Sequence, residues 1–159
     1  MTGALEFTDQ EWRLLESAPM KAGLAVGDLS DPRRWLQELY AVFDTAEALE
    51  SEVDSVLIRA VTERMLAREG DDFDLPADLP DNPAEARAYL IADCVQAVRT
   101  VAQKAPEEME AFRRWLLTLA RRAAEATKEG GFLGLGGERI SPEEWAALHE
   151  LEAALGVID

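Results

Sequence analysis

The chain has 159 residues, 48% of them hydrophobic, and its 32 acids against 16 bases give a formal net charge of −16. Length and apolar content suffice for a real core and argue against wholesale disorder. The charge argues against nucleic acid and anionic lipid as partners, because binding to either begins with Lys and Arg displacing counterions.

No run approaches the ~20 apolar residues of a bilayer span, so membrane insertion is not expected. Met1 to Phe7 lack the basic region and apolar stretch of a secretory signal. The single cysteine, Cys94, sits among apolar residues and reads as a small buried hydrophobe. A soluble, cytoplasmic protein is the resulting expectation. The acidity is uneven: residues 1–82 hold 19 acids and 7 bases, and 83–159 hold 13 and 9. Such an excess serves solubility first, and beyond that it suits a basic partner or a divalent cation.

The punctuation is helical throughout. Thr8-Asp9-Gln10-Glu11 forms a capping box, after which Trp12, Leu15 and Ala18 share a face. Pro19 predicts a break, with a second short helix from Met20 to Gly27. Its small residues, Ala22, Gly23, Ala25 and Gly27, predict the closest helix crossing in the core. Ser30-Asp31-Pro32 starts another helix with Leu36, Leu39, Phe43 and Ala46 as its buried stripe. A break between Asp44 and Ser51 separates it from a stripe of Val53, Val56, Leu57, Ala60 and Met65, closed by Gly70.

Residues 71–83 form one long acidic, proline-rich connection, expected to wrap a single domain spanning 1–159. Asn82-Pro83 with Glu85 opens the next helix, with Ile91, Cys94, Val98 and Val101 facing inward. Pro106 starts the most regular helix, whose Met109, Phe112, Leu116, Leu119, Ala123 and Ala126 alternate by three and four. Gly130-Gly131 ends it. Ser141-Pro142-Glu143-Glu144 starts the last helix, which carries Trp145, Leu148, Leu151 and Leu155. No segment alternates with a period of two, so the expected fold is all-α: a compact bundle of about seven helices.

Chemistry-bearing patterns are sparse. The run Gly130 to Gly137 lacks the Gly-Lys-Ser/Thr ending and preceding strand of a phosphate loop, and Glu138, Glu143 and Glu144 would repel an anion. His149 is the only histidine, on the flank of its helix. Asp71, Asp72, Asp74, Asp78 and Asp81 offer hard oxygen ligands without EF-hand spacing. Arg114, Arg121 and Lys128 recur every seven residues as a basic stripe flanked by Arg113 and Arg122. Pairing of Glu110 with Arg114 and of Arg121 with Glu125 accounts for much of that stripe. The four tryptophans, Trp12, Trp35, Trp115 and Trp145, read as core-edge packing, a residue type that also anchors interfaces.

Leu119-Ala120, Ala123-Ala124, Ala126, Gly130-Gly131, Ile140-Ser141-Pro142-Glu143-Glu144, Leu148, Leu151 and Leu155-Gly156 together resemble the tellurite-resistance TerB-like family. A degenerate earlier copy runs from Ala22 to Val26 through Asp28 and Asp31 to Glu38. The resemblance implies two pseudo-repeated helical halves. It also implies a divalent cation, calcium or magnesium, held by Asp28, Asp31 and Glu38 in the first half and Glu144 in the second. The chain departs from that pattern at Glu129, at Leu29 and in the insertion Phe132 to Gly137. The function expected is a non-catalytic interaction module that binds a protein partner or self-associates, for example as a homodimer. An enzyme with carboxylates converging in a cleft and a purely structural homo-oligomer are the alternatives.

Overall fold

Thr8 closes the first capping box reciprocally. Its hydroxyl accepts from the Glu11 N–H at 3.1 Å, and the Glu11 carboxylate accepts from the Thr8 N–H at 2.9 Å. The computed structural model describes residues 6–43, 55–67, 75–130 and 142–156. Among these it shows six helices and no strand: α1 (Asp9–Ala25), α2 (Pro32–Val42), α3 (Val56–Leu66), α4 (Pro83–Lys104), α5 (Pro106–Gly130) and α6 (Pro142–Gly156). The fold is all-helical, with six described helices where about seven were expected.

The predicted break at Pro19 does not occur, because α1 runs through it to Ala25. A mid-helix proline costs ~3 kcal/mol by removing one hydrogen bond and crowding the preceding turn. Nine residues between Leu15 and Ala25 are buried. Each large apolar side chain among them contributes roughly 1.5–3 kcal/mol, so packing outweighs the proline.

The small residues at the end of α1 do make a close crossing, and α2 fills it. A Cβ added to Gly23 would lie 3.0 Å from Leu39 and 3.2 Å from Phe43, and one added to Gly27 would lie 2.0 Å from the Trp35 ring. The turn between these helices is set by Asp28, whose carboxylate accepts from the Ser30 N–H at 3.0 Å and the Ser30 hydroxyl at 2.5 Å. Pro32 then occupies the first turn of α2.

Ser55 caps α3, accepting from the Ile58 N–H at 3.0 Å while donating to Glu108 at 2.7 Å. The buried face of α3 is Leu57, Ile58, Val61 and Thr62. Val56, expected on the inner stripe, is 58% exposed. It stands at the first helical position, where its side chain points away from the face that Leu57 and Val61 share.

Asn82 caps α4 by accepting from the Glu85 N–H at 3.0 Å, with Pro83 at the first helical position. Leu90, Ile91, Cys94, Val98 and Val101 line its core face. Ala105, at φ −144° and ψ 65°, leaves the helical region, as the proline after it favours. That one residue folds α5 back against α4. Residues 75–82 of the long connection are non-helical and lay Leu75 and Leu79 on the core.

α1 packs against each of the other five helices. The core around it runs from Phe7 to Leu155 and draws on every described helix. The expected break near Asp44, Gly70, Asp71 to Asp74, the glycine-rich run beyond Gly130, and Ser141 lie outside the described residues.

Candidate functional site

α1 ends without a basic residue in its last turn, and its terminal carbonyls draw donors from other helices besides the Val26 and Gly27 N–H groups. Trp35 Nε1–H donates to the carbonyls of Gly23 at 3.1 Å and Leu24 at 3.2 Å. Arg87 of α4 donates to the carbonyls of Ala25 at 2.7 Å and Gly27 at 3.3 Å. The guanidinium thus complements the negative end of the helix dipole.

Most charged side chains near the core serve similar cross-links. Lys21 of α1 pairs with Asp93 of α4 at 2.8 Å. Arg64 of α3 binds the buried Glu16 and lies 4.3 Å over the Trp12 ring. Lys104 pairs with Glu11 at 2.7 Å, and that bond, with the Thr8 cap behind it, holds the Glu11 carboxyl below its ordinary range.

The four carboxylates implied by the TerB-like resemblance are not gathered into one site. Asp28 holds Ser30, whose hydroxyl and N–H lower the pKa of the Asp28 carboxyl. Asp31 precedes α2 and contributes its carbonyl to the Trp35 N–H at 3.1 Å. Glu38 lies 3.7 Å from Arg34 on the same helix. Glu144 lies in the first turn of α6. Among the described residues, no three His, Cys, Asp or Glu side chains converge in a way that could hold a metal ion.

Cys94 is fully buried, and burial pushes its thiol up to about 12. His149 is exposed on another helix. Tyr89 donates to Asp78 at 2.6 Å, and its phenol is raised to about 12 by that carboxylate. The basic stripe of α5 is satisfied by its neighbours. Arg113 and Arg114 both bind Glu110, which lowers the Glu110 pKa, and Arg121 reaches Glu125 at 3.4 Å. The Lys128 side chain lies outside the described residues.

α6 presents the surface that this internal pairing leaves unexplained. Its inner face, Ala147, Leu148, Leu151 and Leu155, is buried against α5, α4 and α1. Trp145, read as core-edge packing, is 38% exposed. At 100° per residue Trp145 stands well off the centre of the inner face, so it opens the outer one. The outer face continues through Ala146, His149, Ala153 and Gly156, all exposed. This arc carries no Asp, Glu, Lys or Arg along the length of the helix. Glu143 and Glu150 border it on one side and Glu152 on the other. The ring of Trp145 lies 5.7 Å from that of His149, and the Arg121 guanidinium sits 5.1 Å from its centroid.

Sequence reading missed this face because Ala and Gly do not register as an apolar stripe beside the three leucines Leu148, Leu151 and Leu155. The legible signal was an absence of charge. In a chain with 30% charged residues, five outward positions at helical spacing hold none. No helix among the described residues is long and apolar enough to cross a membrane. Compared with known proteins, the chain matches no family model, no curated protein sequence and no solved structure.

Proposed function

We propose that this chain is a non-catalytic helical interaction module, of the TerB-like kind, that docks a protein partner through the outer face of α6. The observation that carries the reading is the solvent-facing, uncharged surface of α6, which holds the exposed Trp145 and His149 and is bordered by glutamates. A helix that only covers a core keeps its outward face polar. An exposed tryptophan beside small residues is the composition of an interface anchor, since it brings large contact area at little entropic cost.

The catalytic alternative draws less support. The ionisable side chains nearest the core, Lys21, Asp93, Glu16 and Arg64, neutralise one another across helices. The thiol of Cys94 is held protonated and inaccessible.

Ala146→Arg and Ala153→Arg test the proposal, because both positions are exposed and outside the core. Each variant is expected to melt within about 2 °C of the parent, as surface substitutions do. Each should also shift the endogenous chain from a larger complex to its monomer size on native chromatography. Retention of the complex by both folded variants would contradict the reading.

A further inference from the structure

We infer that the partner seated on α6 is a basic amphipathic helix, with an apolar stripe flanked by Lys or Arg. This inference rests on the docking reading above and specifies its chemistry.

The shape of the surface selects a helix. The outer face runs the whole of α6, Pro142–Gly156, which at 1.5 Å per residue is roughly 22 Å. Ala146, Ala153 and Gly156 are exposed along it and raise no side-chain bulk, so a second helix axis can approach closely. Trp145 stands at one end as a knob for that helix to seat against.

The charge selects a base. α6 contains Glu143, Glu144, Glu150 and Glu152 and neither Lys nor Arg, within a chain of net charge −16. Arg121, which reaches Trp145 from α5, is already paired with Glu125. Glu143 and Glu150 are seven residues apart on one border, roughly 10.5 Å along the axis. A helix lying alongside meets them best with cations at the same heptad spacing. A second copy of the chain would bring glutamates against glutamates, and like-charge juxtaposition opposes that pairing.

The test uses three synthetic peptides of about 18 residues that share one leucine stripe and carry Lys, Gln or Glu on the flanks. A fourth peptide keeps the Lys composition but scrambles the stripe. Binding to the full chain is followed by fluorescence anisotropy at low and moderate salt. The Lys-flanked peptide is expected to bind about tenfold or more tighter than the Gln-flanked and scrambled ones, and to weaken as salt rises. Glu143→Lys with Glu150→Lys should transfer the preference to the Glu-flanked peptide.

Equal binding of the Lys, Gln and scrambled peptides, binding of none, or an unchanged preference in the charge-swapped chain would overturn the inference. So would self-association of the chain alone by sedimentation. If the Lys peptide fails while Ala146→Arg still releases the native complex, only the partner chemistry falls. If Ala146→Arg binds the Lys peptide as well as the parent does, the α6 docking face itself is wrong.

Discussion

The Trp35 ring occupies the space that a side chain at Gly27 would need: a Cβ built on Gly27 lies 2.0 Å from two atoms of the indole. No L-residue other than glycine fits there without displacing the ring. Displacement would also break the indole N–H bonds to the Gly23 and Leu24 carbonyls. Gly27→Ala is therefore expected to destabilise by about 2–3 kcal/mol, the upper part of the range for overpacking. Trp35→Leu relieves the clash but opens a cavity, and the double variant should be more stable than additivity predicts. Urea denaturation of the three variants measures the coupling, and strict additivity would show that the two residues do not meet.

Arg87 ties α4 to the carbonyl end of α1. Arg87→Met keeps most of the aliphatic packing and removes both bonds and the charge. The expected loss is about 1–2 kcal/mol, the scale of a charge-assisted bond at a helix terminus. Arg87→Lys should recover only part of it, since one ammonium does not reproduce the planar fork. Equal stability of the Met and parent proteins by chemical denaturation would remove the capping role.

Glu16 is buried while its partner Arg64 is half-exposed. Removing Arg64 alone takes the cation away from a buried carboxylate, so Arg64→Met should cost about 1–2 kcal/mol, less than a fully buried pair because water reaches the site. Adding Glu16→Gln removes the buried charge and should return part of that loss. A double-mutant cycle that shows no recovery would mean the pair contributes through the Arg64–Trp12 stacking instead.

Asp28 has a lowered pKa because Ser30 hydrogen-bonds its carboxylate. For a depressed carboxylate, the stabilisation is fully present above the unfolded value and is lost as pH falls through the lowered folded value. Asp28→Ala should therefore cost about 0.5 kcal/mol near neutrality, a figure discounted for solvent exposure, and the gap to the parent should close at acid pH. Because no three His, Cys, Asp or Glu side chains converge among the described residues, calcium or magnesium should raise the melting temperature no more than sodium chloride at matched ionic strength. An ion-specific rise lost in Asp28→Ala would establish a metal site there.

The helix starts were legible because capping is local chemistry: Thr8 with Glu11, and Asn82 with Pro83 and Glu85, act within one turn. The small-residue crossing was legible too, since Gly23 and Gly27 signal close approach whatever element fills the space. Pro19 was misread because its local cost is outweighed by packing that α1 makes with residues far along the chain. Arg87 could not be read at all, as the carbonyls it binds lie some sixty residues away in sequence. Trp145 was read as core-edge packing, and with the inner face centred on Leu151 and Leu155 it stands 38% exposed.

The proposed docking of a partner on the outer face of α6 can be read directly. A photo-crosslinking residue placed at Ala146, and separately at the exposed Gln37 of α2, tests it in the protein's native cells. A discrete crosslinked adduct is expected at 146, one that disappears when Trp145 is replaced by Ala, with no matching adduct at 37. A chain that forms no adduct at 146, or the same adducts at both positions, would contradict it.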